Sequence, residues 1–125
     1  MSKFAAVAVL SIAFLYAGTA RAQEHNQFND KDRQNATNWY SQHEKNPPTG
    51  LRSKDRLKAD EEAKLRPGEA LDRNLWKKVH SAPRDLRRHL APPPRHYAYE
   101  LIGGHLILVD TRNHQVKDVI RLRHD

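Results

Sequence analysis

Eight histidines are the residues of this 125-residue chain best suited to chemistry: His25, His43, His80, His89, His96, His105, His114 and His124. Imidazole binds nickel, cobalt, copper and zinc. The chain has no cysteine, so imidazole is its main borderline ligand. The spacing is unfavourable, because no H-x-H, H-x₃-H or H-E-x-x-H element sets two imidazoles on one face. His96, at the end of a proline run, and His105 and His114, at two expected turns, are the candidate metal ligands. His105 and His114 fall at opposite ends of one expected strand, about 30 Å apart by strand rise. They are therefore not expected to share one ion. The competing reading is a set of solvated surface histidines.

Basic residues form the second group. Arg84, Arg87, Arg88 and Arg95 surround Pro92-Pro93-Pro94, and Tyr97 and Tyr99 follow closely. Basic residues interleaved with aromatics can bind single-stranded nucleic acid. Here the tyrosines are better used in a core and the chain carries an export signal, so nucleic acid is not expected. A solvated basic face is the first reading of these arginines, and an anionic envelope surface, lipid or polymer, is the next. Enzyme signatures are missing: Ser81 is the only serine after residue 66 and lies in no G-x-S-x-G, and no phosphate loop occurs. No carboxylate pair marks acid/base chemistry. The chain reads as non-enzymatic.

The export signal is residues 1–22. Lys3 supplies a positive start, Phe4 to Ala17 is an uncharged apolar run of 14 residues, and Ala20-Arg21-Ala22 is an A-x-A cleavage site. Spanning a bilayer takes about 20 apolar residues, so an uncleaved anchor is the weaker reading. The processed chain is expected in the periplasm and not as an integral membrane protein. The signal carries Lys3 and Arg21 and no acid, so the formal charge falls from +7 to +5. A small exported chain often relies on disulfides. This one must rely on a core, a partner or a metal.

The elements that would position these groups lie near the C-terminus. Residues 23–66 are polar and charged. Phe28, Trp39 and Tyr40 stand nearly alone in the first half, which predicts a disordered arm. Residues 51–66 predict a solvated helix, with Leu57 and Leu65 two turns apart and Glu61 between them. Pro67-Gly68 breaks it. Leu71, Leu75, Trp76 and Val79 predict a short helix, and Pro83 opens a second, with Leu86 and Leu90 on one side.

Tyr97–Ile102 and His105–Asp110 are β-prone runs joined by Gly103-Gly104, a hairpin signal because both turn positions need positive φ. A two-residue turn pairs Ile102 with His105, Leu101 with Leu106 and Tyr99 with Leu108. Tyr97, Tyr99, Leu101, Leu106 and Leu108 then share the cleaner core face. Glu100 and His105 interrupt the other face. A second turn over 110–115 places Asn113 in the left-handed region, and Val116–Leu122 forms a third strand. The expected fold is α+β: a three-stranded antiparallel meander with one or two short helices over residues 67–125, preceded by the disordered polar arm.

The segments Leu90-Ala91-Pro92-Pro93-Pro94-Arg95-His96-Tyr97-Ala98-Tyr99, Gly103-Gly104, Leu106-Ile107-Leu108-Val109-Asp110 and Val116-Lys117-Asp118-Val119-Ile120 resemble the RcnB-like family of small periplasmic proteins. Arg66-Pro67-Gly68-Glu69-Ala70-Leu71 is similar to that family's lead-in, and His96 stands where the family often has glycine. The resemblance spans about residues 66–120 and implies a non-enzymatic accessory role in nickel and cobalt homeostasis, exercised with an efflux-system partner. It implies no ligand set for these histidines. The function expected from sequence is therefore modulation of nickel or cobalt handling. The alternative is an envelope module that contacts anionic polymer or membrane.

Overall fold

The structure is a computed structural model in which residues 27–124 are described; the expected signal peptide lies outside them. Its centre is a four-stranded antiparallel sheet in the order β1-β2-β3-β4. The strands are β1 (His80–Ser81), β2 (Tyr97–Ile102), β3 (His105–Asp110) and β4 (Val116–Arg121). The β2–β3 hairpin has the expected register, with Ile102 opposite His105 and Tyr99 opposite Leu108. Gly103 and Gly104 take φ of 55° and 85°, as a primed turn requires.

Three strands were expected and four are present among the described residues. The fourth, β1, is a two-residue edge strand that pairs His80 with Leu101 and Ser81 with Glu100. Two residues carry no periodicity, so only the pairing reveals them. The second turn also differs. The left-handed residue is His114 (φ 61°), whereas Asn113 accepts the Gln115 N–H through its side-chain oxygen at 3.0 Å. The β3–β4 register shifts at Leu108–Val109, which face Asp118 and Val116 and leave Lys117 over. This bulge turns Val116 to one face and Asp118 to the other.

The disordered arm is corrected within the described residues. Asp30–His43 is an α-helix, α1. Asn29 caps it: its side-chain oxygen accepts the Asp32 N–H at 2.6 Å, and the Asp32 carboxylate accepts the Asn29 N–H at 3.3 Å. Asp32, Ala36, Trp39 and Tyr40 form the buried stripe at i, i+4, i+7 and i+8. The stripe is hard to see because one member is charged and one is small. Phe28, Trp39 and Tyr40 compensate by size, since each aromatic ring buries a large apolar area. They join Leu51, Ala82, Leu86, Leu90, Tyr99, Leu101, Leu106, Leu108 and Ile120 in one core.

The second sheet face is also core. Leu57, Leu65, Leu71 and Leu75 cover Ile102, Ile107, Val109 and Val116. All six residues of β3 are therefore buried. The expected solvated helix over 51–66 is replaced by a 3₁₀ turn (Ser53–Asp55) and a single α-turn, α2 (Ala59–Glu62). Leu57 and Leu65 point inward on either side of α2, and buried Glu61 is satisfied by Lys78 Nζ at 2.8 Å. A further turn, α3 (Arg73–Trp76), is capped by Asp72, whose carboxylate accepts the Leu75 N–H at 2.9 Å. The fold is thus an α+β sheet covered on both faces, and residues 27–66 supply part of each cover.

Candidate functional site: an arginine face beside an open sheet edge

Arg84–Arg87 forms a one-turn helix, α4. Pro83 precedes it in extended conformation and its carbonyl accepts the Arg87 N–H at 3.0 Å. Leu86 and Leu90 are buried in the first core, which fixes the outward side of α4. Arg84, Arg87 and Arg88, at i, i+3 and i+4, lie on that outward side and are exposed. Arg95 is also exposed, but it stands beyond the Pro92–Pro94 run, in a turn closed by the Tyr97 N–H on the Pro94 carbonyl at 3.0 Å. The helix therefore gathers three of the four expected arginines.

The acid within α4 is turned the other way. Asp85 Oδ2 accepts the Trp39 indole N–H at 2.9 Å and lies 3.4 Å from His43 Nε2. The Trp39 hydrogen bond, with a further contribution from His43, holds the Asp85 carboxyl below the ordinary range against its partial burial. His43 stacks on Trp39 with ring centroids 4.2 Å apart, and its Nδ1–H donates to the Trp39 carbonyl at 2.7 Å. Asp85 is thus committed to α1, and its carboxylate is bonded to Trp39 and His43 instead of to its arginine neighbours.

Arg87 marks the end of a groove. Its Nε–H donates to the Ala82 carbonyl at 3.0 Å. Between β1 and the proline run lies a cavity of ≈ 440 Å³ lined by Ser81, Arg87, Pro93, Tyr97, Ala98 and Glu100, among others. Because β1 pairs only with Glu100 and Leu101, the Tyr97–Ala98 part of β2 has no strand partner on this side. Burial pushes the Glu100 carboxyl up, and the nearby Arg87 charge opposes that rise. A half-buried carboxyl facing an arginine in a cleft is a functional signal. Its sequence trace is the interruption of an otherwise apolar strand face by Glu100.

The candidate metal ligands are placed separately. His105 opens β3, is buried, and its Nδ1–H donates to the Gly103 carbonyl at 2.9 Å. Burial pushes its pKa down. His114 lies in the turn after β3 and stacks on Trp76, with centroids 3.7 Å apart and planes 6° off parallel. His96 is exposed with φ 73°, and its carbonyl accepts both the N–H and the hydroxyl of Thr111. Among the described residues no group of three or more His, Asp or Glu side chains could hold a metal ion. Among them, too, no helix is long and apolar enough to cross a membrane.

No family model matches the chain. No curated protein matches it either. Among solved structures it is similar to the C-terminal domain of inner membrane protein CigR from Salmonella enterica, with a TM-score of 0.58 and 18% identity. The alignment covers 72% of this chain and 84% of that one. A likeness at this identity establishes the fold, an α+β arrangement around a small antiparallel sheet.

Proposed function

We propose that this protein is an exported, non-enzymatic binding module that docks on an anionic envelope partner, polymer or membrane surface, through the arginine face of α4. One observation carries the reading. Arg84, Arg87 and Arg88 are exposed together while Asp85, the acid of the same turn, is held on Trp39. The three guanidinium groups outnumber that one carboxylate, and the helix that presents them is anchored to the core by Leu86. Exposed charge of one sign attracts polyanions and is screened by salt.

The test is retention of the processed chain on anionic vesicles and on acidic polysaccharide over a salt series. Retention is expected to fall steeply with ionic strength and to weaken severalfold in the R84Q/R87Q/R88Q variant. Salt-insensitive retention, equal in both proteins, would overturn the reading.

The resemblance to the RcnB-like family extends the proposal to nickel and cobalt handling. The role we assign there is contact with an efflux-system partner and not storage of the ion, since His96, His105 and His114 occupy separate places in the fold. Unchanged cellular nickel and cobalt content after deletion of the protein would remove this extension and leave the docking proposal standing.

A further inference from the structure

The groove between β1 and the proline run holds two opposite charges that do not meet. Arg87 and Glu100 both line its cavity of ≈ 440 Å³. Among the described residues no ion pair joins them, and the Glu100 carboxylate accepts no hydrogen bond. Arg87 is the charged group whose field reaches Glu100, opposing the rise that burial imposes on that carboxyl. The other charges of this region are placed differently. Asp85 is bonded to Trp39 and His43. Lys117 stands over the Tyr97 ring and donates to the Gln115 side-chain oxygen at 3.1 Å. Arg84 and Arg88 share the turn of Arg87 but lie outside the cavity lining.

Main-chain bonds hold the two charged groups apart. Glu100 stands opposite Ser81 in the β1–β2 pair, and Ser81 lines the same cavity. Arg87 Nε–H donates to the Ala82 carbonyl at 3.0 Å, which sets the guanidinium at the end of β1. The Ala82 N–H donates to the Tyr99 carbonyl at 3.4 Å and the Tyr97 N–H to the Pro94 carbonyl at 3.0 Å. Tyr97 and Tyr99 therefore turn their main-chain groups to this side of β2, and the Tyr97 carbonyl can accept a ligand N–H. Ala82, Pro93 and Ala98 supply apolar wall. A pocket of this size, with a few convergent polar groups on an apolar wall, is the usual form of a small-molecule site.

We infer that this groove binds a small zwitterion, a free amino acid or a short peptide, with the ligand ammonium on Glu100 and the ligand carboxylate on Arg87. The charge pattern selects the class. A purely anionic ligand would pair with Arg87 and be repelled by Glu100. A purely cationic ligand would have the reverse fault. A neutral ligand would desolvate both groups and pair neither. A zwitterion pairs both through charge-assisted hydrogen bonds. The apolar wall adds a preference for an aliphatic side chain. The site goes beyond the docking face of α4, with which it shares Arg87 alone.

The experiment is calorimetric titration of the processed chain with leucine and with alanyl-leucine, against leucinamide, N-acetyl-leucine and N-acetyl-leucinamide. These three analogues lack the carboxylate, the ammonium and both charges, respectively. Saturable binding is expected for at least one zwitterion. Each blocked analogue should bind about tenfold or more weakly, the loss of one charged hydrogen bond. E100Q should lose a similar factor for the zwitterion and should discriminate less against N-acetyl-leucine, whereas a merely structural Glu100 would leave that discrimination in place. The blocked analogues keep the test decisive if E100Q fails to fold. Tighter binding of alanyl-leucine identifies a peptide as the ligand, and tighter binding of leucine identifies a free amino acid. The inference is overturned if neither zwitterion binds, if the blocked analogues bind equally well, or if E100Q keeps the full discrimination. The α4 reading is tested apart from this, by retention on polyanions over a salt series. Salt-insensitive retention would overturn that reading and leave this site standing, and absence of zwitterion binding would do the opposite.

Discussion

The backbone N–H of Phe28 donates to Oδ2 of Asp118 at 2.9 Å, joining residues 90 apart in sequence. The same carboxylate oxygen accepts Arg33 Nη2 at 2.8 Å. Asp118 is nearly buried on β4, where the bulge turns it towards α1. It is the polar fastening of the N-terminal segment to the sheet, beside the Phe28–Tyr99 ring stack at 5.6 Å.

Replacing Asp118 by alanine leaves a buried N–H without its acceptor and Arg33 without its partner. The expected loss is about 1–3 kcal/mol. Denaturant unfolding measures it. Amide exchange should quicken first in α1, because that helix loses its tie while the hairpin keeps its own.

Gly50 and Gly103 should resist substitution for a reason that Gly68 does not share. A Cβ on Gly103 would meet Leu57 Cγ at 2.5 Å, and one on Gly50 would meet Leu101 Cβ at 2.8 Å, both with positive φ. Gly68 also has positive φ but nothing within 4 Å. Gly68→Ala should cost about 1–2 kcal/mol, the left-handed penalty alone. Gly103→Ala and Gly50→Ala should cost more, and the difference in unfolding free energy measures the clash.

Stability should fall as pH is lowered from 7 to 5, through His105. Burial holds its folded pKa below the ordinary value of about 6.5. The unfolded chain then takes up a proton that the folded protein resists. This contribution is therefore complete above about pH 6.5 and declines as pH falls through that value. Glu62 opposes the shift and Arg121 reinforces it. Thermal unfolding across this range should show a flatter pH dependence in H105Q than in the parent.

At lower pH two carboxylates contribute. Asp110 is held at about 2 by Arg112, chiefly through their side-chain hydrogen bond, and Asp85 is depressed chiefly by Trp39. Both support folding above the ordinary carboxylate range near pH 4 and cease to do so as pH falls through their depressed values. In D85N the amide oxygen can still accept from Trp39, so the variant should fold and lose part of the stability change below pH 4.

Calorimetric titration of the processed chain with nickel and cobalt should show no micromolar site attributable to His96, His105 or His114. Single alanine variants at these positions should leave the heats unchanged. A site lost in one variant would contradict the placement of the three imidazoles in separate surroundings.

The hairpin was legible in the sequence because its information is local. Gly103-Gly104 fixes the turn, period-two alternation fixes the register, and Pro83 with Leu86 and Leu90 marks α4 within a few residues. The arginine face follows from spacing along that one turn. What tertiary structure alone decided is non-local. Phe28, Trp39 and Tyr40 look stranded in a polar stretch until the sheet supplies the surface they cover. Leu57 and Leu65 look like one side of a solvated helix until both dip onto the second face. The same holds for function: Asp85 is an acid among arginines in the sequence, and only its bond to Trp39 removes it from them. Arg52 and Arg121 are 69 positions apart, and only in the folded chain do they line one small cavity. Local conformational preference can be read from neighbouring residues, whereas burial and charge balance depend on surfaces that exist only after the chain has folded.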